Sequence, residues 1–118
     1  MKDGPNSITQ TYDFLKWSIP TLKKFPRDQR FLLGDRIESC LLDILELLVS
    51  AAYSRKKVDL LRDANLKLEI VRFLWRLSFD LHYLDLRRYE YVSTGVNEIG
   101  RYIGGWIKHE MGKHEADG

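Results

Sequence analysis

Apolar residues recur at helical spacing along most of the chain, and that periodicity leaves few folds open. Between about residues 27 and 53, Leu33, Ile37, Leu41, Ile44, Leu48 and Ala51 fall on one line. Leu42, Leu45, Val49 and Ala52 fall on a second line beside it. Between about 56 and 83, Leu61, Ala64, Leu68, Val71, Trp75 and Ser78 make one line, and Leu66, Ile70, Phe73, Leu77, Leu81 and Leu84 make another. Residues three and four apart share a helix face, so each line is a stripe on a helix. A helix that covers one side of a core needs an apolar arc of roughly 100°. Two stripes make a wider arc. Either these helices lie centrally, or the second stripe is covered by another copy of the chain, and the expectation is an oligomer.

Two further helical segments flank this pair. Ile8, Tyr12, Leu15 and Ile19 predict a helix over about 8–24, with Pro5 ahead of it and Pro20 kinking its end. Tyr89, Val92, Val96, Ile99, Ile103 and Trp106 predict another over about 86–110, with Asp85 as its N-cap. Residues 112–118 read as a frayed tail. No segment alternates like a strand, and no internal repeat or second domain is visible. Short connections between long helices force antiparallel neighbours. The fold class is therefore all-α, an antiparallel up-down four-helix bundle in a single domain over residues 1–118.

Charge and chemistry narrow the function. The chain has 19 Lys and Arg against 17 Asp and Glu, a net +2, so it is no polycation committed to nucleic acid. Cys40 is the lone cysteine, which excludes an internal disulfide and suits a reducing compartment. The polar stretch Met1–Thr11 lacks the apolar core of a signal peptide, and no run suits a membrane span. A soluble cytoplasmic protein is expected. His82, His109 and His114 lack ligand spacing, and no histidine partners a nucleophile, so neither a metal, a cofactor nor an enzyme is expected.

Several polar clusters are candidates for contact. The segment Phe25–Ile37 gathers Arg27, Arg30, Asp35 and Arg36 around Gly34, and Arg30, Asp35, Arg36 and Glu38 suggest an ion-pair network with a structural or intersubunit role. Lys24 and Arg27 lie near the bundle end, free to meet a partner. Gly100, Gly104 and Gly105 interrupt the last helix, where glycine costs about 1 kcal/mol. Close approach of a neighbouring helix, with Trp106 packed beside it, is the expected reason. Gly104→Leu is accordingly expected to lower stability by about 1–3 kcal/mol. Arg72 and Arg76 share a face one turn apart, able to pair with Glu69 and Asp80 or to grip a phosphate. Arg87, Thr94, Arg101 and Lys108, seven apart, make a slowly drifting basic stripe, with Tyr91 and Tyr102 near enough to stack on unpaired bases.

Three blocks carry a resemblance: 25–37, 65–76 (Asn65 to Arg76) and 98–107 (Glu98 to Ile107). In that order and spacing the chain resembles the Avd-like four-helix-bundle family, the accessory variability determinants of diversity-generating retroelements, over about residues 8–110. Bundle proteins encoded in ribosomal RNA intervening sequences are relatives. The resemblance implies a homopentameric barrel that binds a reverse transcriptase and its template RNA, with DNA a further candidate, and that supports mutagenic retrohoming without catalysis. Arg72, Arg76, Arg87, Arg101 and Lys108 would then meet nucleic acid or protein, while Arg30, Gly34, Asp35, Arg36, Gly100, Gly104 and Trp106 would serve structure and assembly. Retroelement members of the family are strongly basic, whereas five copies of this chain at +2 each would carry only +10. An interaction protein of the ribosomal-intervening kind, with no reverse transcriptase partner, is the alternative.

Overall fold

The computed structural model describes residues 1–117, with side chains through Lys113. It holds four long helices: α1 (Asp3–Leu22), α2 (Asp35–Tyr53), α3 (Lys57–Asp80) and α4 (Leu86–Asp117). A short helical turn (Arg27–Gln29) and a π-helical turn (Arg30–Gly34) lead into α2. Each helix packs on the next, and α4 closes back onto α1. The result is a four-helix bundle, a rod of 52 × 23 × 19 Å. Among the described residues there is no strand, and no helix is long and apolar enough to cross a membrane.

The first stripes form the core. Ile37, Leu41, Ile44, Leu48 and Ala51 of α2 are buried, as are all six residues of the first α3 line and Val92, Val96, Ile99, Ile103 and Trp106 of α4. Trp75 is the hub. Its ring lies 6.2 Å from the rings of Phe14, Trp17 and Phe25, with Phe14 and Phe25 meeting it edge-on. Edge-to-face pairs of this kind are preferred by the ring quadrupole. Gly95 lets α4 come close to α1, because a Cβ there would lie 2.6 Å from the Phe14 ring.

The helix ends depart from the sequence-based expectation in three places. α1 begins at Asp3 rather than near residue 8, so Pro5 lies inside its first turn. A proline costs nothing there, since the first amides of a helix have no internal acceptor. Pro20 lies within α1, which ends two residues later at Leu22. α4 continues to Asp117, through most of the stretch expected to fray, while Gly118 lies outside the described residues. Gly112 does not stop it, because no glycine among the described residues adopts a positive φ, and the flanking Glu, Met and Lys are good helix formers.

The connections are closed by specific hydrogen bonds. Lys57 Nζ donates to the carbonyls of Ala51 (2.8 Å) and Ala52 (3.1 Å), satisfying orphan acceptors at the end of α2. Between α3 and α4 the amides of His82 and Tyr83 donate to the carbonyls of Phe79 and Ser78, both at 2.9 Å. That is a Schellman closure with His82 in the left-handed region at φ 66°. Asp85 caps α4, accepting from the Arg88 amide at 2.8 Å.

Candidate functional site

The second stripes stay on the outside. On α3, Leu66, Ile70, Phe73, Leu77 and Leu81 are exposed, Phe73 and Leu66 at 63%. At 100° per residue this line runs along the back of α3, opposite its core line. On α2, Leu42 and Val49 are exposed while Leu45 is half-buried. Asp43, which pairs with Lys67 at 3.2 Å, marks the side of α2 that faces α3. Leu42 and Val49 lie roughly a third of a turn away from both Asp43 and the core, on the other flank. Phe31 and Leu32, thrown outward at 70% and 64% exposure by the π turn, are also uncovered. A π turn adds one residue to the helical circuit and so shifts the face shown by what precedes it. The protomer therefore carries two separate apolar faces, with the polar side of α2 between them.

The arginines at the head of α2 are arranged differently from the expected network. Arg30 Nη1 donates to the Lys23 carbonyl at 3.4 Å, placing its charge at the C-terminal end of α1, where a cation is favoured. Its Nε is buried without a partner. Among the described residues no ion pair joins Arg30, Asp35, Arg36 and Glu38. Asp35 and Arg36 point to solvent, and buried Gly34 lies where a Cβ would stand 3.6 Å from the Gln29 carbonyl.

Arg72 is half-buried and spans the α3–α4 seam, donating to Glu69 at 3.3 Å and to Asn97 on α4. Gly100 lies beside this crossing, where a Cβ would meet Leu68 at 3.4 Å and Arg72 at 3.9 Å in ordinary contact, so the close approach expected at Gly100 does not arise within the protomer. Arg76 is exposed, 4.0 Å from Asp80. Surface pairs of this sort contribute little stability, roughly half a kcal/mol. Arg87, Thr94, Arg101 and Lys108 are all exposed along the back of α4. Arg101 is held by Glu98 at 2.8 Å and lies 4.8 Å above the Tyr102 ring. The hydrogen bond to Glu98 raises the Arg101 pKa further, so this cation is permanent.

The last-helix glycines divide. A Cβ on Gly105 would collide with the Asp3 carboxylate at 2.2 Å, while Gly104 has no atom within 4 Å of that position. The close approach within the protomer is thus at Gly95 and Gly105. The expected overpacking by Gly104→Leu does not arise inside the protomer, because Gly104 opens outward. Trp106 is buried and packs against the first turn of α1 near Gly4.

One cluster was seen only in part by sequence reasoning, which named Arg87 and Tyr91 but not the α1 residues that meet them. Trp17 of α1 and Tyr91 of α4 meet across their seam, tilted by 35° with centroids 4.4 Å apart. They wall a cleft of about 310 Å³ with Arg87, Arg88 and Asp85. A second cleft of about 550 Å³, lined by Lys16 and Lys24, shares Trp17 and Arg88 with it. The available signal was Arg87 and Tyr91 four apart on one helix and Lys16 beside Trp17 on another, but nothing in the pattern said that the two pairs would meet.

Comparison with protein families matches residues 7–110 to the bAvd-like family. The chain belongs to the bAvd-like family. The match takes in most of α1, all of α2 and α3, and α4 as far as Glu110, so it covers the three blocks that carried the resemblance. No curated protein matches the chain. In this bAvd-like bundle the exposed Arg76 lies on α3 and the exposed Arg87 and Arg101 lie on α4, while the two apolar faces lie on α2 and α3.

Proposed function

We propose that the chain is a non-catalytic accessory protein of a diversity-generating retroelement. It assembles into a ring that binds the reverse transcriptase and template RNA and so supports mutagenic retrohoming. Membership of the bAvd-like family supports the accessory role. The observation that carries the reading is the pair of uncovered apolar faces, one on the back of α3 and one on the α1-side flank of α2.

Two distinct faces on one protomer favour a head-to-tail contact, in which the α3 back of one copy meets the α2 flank of the next. Such heterologous contacts close into a ring when the rotation permits. Five is the number that the family resemblance implies. In a ring, the exposed backs of α4 repeat around the assembly, and Arg76, Arg87, Arg101 and Lys108 become a belt. Arg72, already bonded to Glu69 and Asn97, contributes to the seam more than to the belt. With a net charge of only +2 per chain, phosphate contact depends on the basic residues gathered in this belt, and protein–protein contact with the polymerase adds to the affinity.

The test has two arms. Co-expression with the reverse transcriptase of a diversity-generating retroelement should yield a complex of the assembled form, and the purified ring should bind template RNA with an affinity that falls steeply with salt. A chain that stays monomeric yet binds both partners fully would overturn the assembly step. An assembled ring that captures neither partner would overturn the accessory role.

A further inference from the structure

We propose that the cleft at the α1–α4 seam is a binding site for unpaired bases of single-stranded RNA. The proposal rests on the RNA-binding part of the reading above and names where the bases sit. Tyr91 is half exposed and lies on Trp17, which is itself backed by the Phe14 and Trp75 rings at 6.0 and 6.2 Å. The outer ring of this stack is therefore held in place by a buried aromatic cluster. A rigid aromatic surface loses little entropy when a base stacks on it, and every base has a π-face, so such a platform suits single strands of any sequence.

The charges around it fit a phosphate backbone. Lys16, Lys24, Arg87 and Arg88 border the two joined clefts, against Asp13 and Asp85. Asp85 is already engaged by Arg88 at 2.7 Å and by the α4 cap, which leaves Lys16, Lys24 and Arg87 against the carboxylate of Asp13, a positive balance for a ligand anion. Together the clefts offer about 310 and 550 Å³ of open space, room for more than one nucleotide. A duplex buries its base faces and offers nothing to the stack, so the site selects unpaired strands. It also stays open on assembly, because it lies on α1 and α4 while the two uncovered apolar faces lie on α2 and α3. A ring then presents one platform per copy, and a long strand engages several with gain in avidity.

The experiment is fluorescence anisotropy of the full chain with a labelled oligouridine, beside an RNA duplex of equal length. Tyr91→Leu, which keeps Trp17 covered, should weaken oligouridine binding at least about fivefold and leave duplex binding unchanged. Tyr91→Trp should keep or tighten it. Lys24→Gln with Arg87→Gln should flatten the salt dependence by roughly 0.7 per lost phosphate contact. Arg55→Gln with Lys56→Gln, the same two-charge change at the opposite end of the bundle, should leave affinity as in the parent. Circular dichroism of each variant checks the fold, and loss of binding by a well-folded Tyr91→Trp protein refutes stacking. If the parent binds oligouridine and template RNA but Tyr91→Leu binds equally well, the cleft assignment falls and RNA binding stands. If the parent binds no RNA of any kind, both fall. Capture of an acidic peptide that Tyr91→Leu weakens, with oligouridine binding unaffected, would assign the cleft to protein instead.

Discussion

Phe73→Asp separates assembly from folding. Phe73 is 63% exposed on the back of α3, so the protomer gains little from its ring. Phe and Asp have similar helix propensities, so the substitution should cost the isolated protomer under about 0.5 kcal/mol. In an assembly the position behaves differently. Full burial of a Phe side chain stabilises by about 1.5–3 kcal/mol, and roughly two-thirds of that remains available to a partner, about 1–2 kcal/mol per contact. A carboxylate in its place forfeits this and must also be desolvated against apolar neighbours, which costs about 2 kcal/mol or more. The sum is roughly 3–4 kcal/mol per contact, a weakening of more than about 100-fold. Light scattering after size exclusion reads the outcome. Five copies of the 13.9 kDa chain give about 70 kDa, and the variant should run as a single protomer with the helical circular dichroism of the parent. The reasoning is refuted if the parent is itself a 13.9 kDa species at high concentration, or if Phe73→Asp keeps the mass of the parent.

Three substitutions test the packing. Gly95→Ala places a methyl group within 2.6 Å of the buried Phe14 ring and should destabilise by about 1–3 kcal/mol, seen as a melting temperature several degrees lower. Gly104→Ala meets nothing within 4 Å and should stabilise the helix by up to about 1 kcal/mol, so its melt should rise, and a loss of assembled mass instead would put Gly104 at a subunit contact. His82→Gly relieves a left-handed residue at φ 66° in an exposed turn and should raise stability by about 0.5–1 kcal/mol in a denaturant titration; an unchanged midpoint would mean that the turn carries no strain.

The polar residues show where sequence legibility ends. Arg72 with Glu69, Arg76 with Asp80 and Arg101 with Glu98 pair as their three- and four-residue spacings predict, because those partners share a helix face whatever the tertiary arrangement. Arg30 does not follow its neighbours. Its partner is the Lys23 carbonyl, reached because the π turn and Pro26 fold the chain back over the end of α1. The glycines divide for the same reason: Gly104 and Gly105 are adjacent, yet Asp3 stands over one and open space over the other.

Periodicity alone fixed the helices, their inward lines and the surplus apolar stripes, since 3.6 residues per turn assigns each side chain a direction before any helix meets another. Which directions remain uncovered was decided only by packing. One bundle of four helices encloses a single line from each, so one flank of α2 and the back of α3 stay bare. The meeting of Trp17 with Tyr91 was likewise a tertiary outcome: 74 residues separate them in the chain, and no local pattern encodes the rotation that brings α1 and α4 face to face.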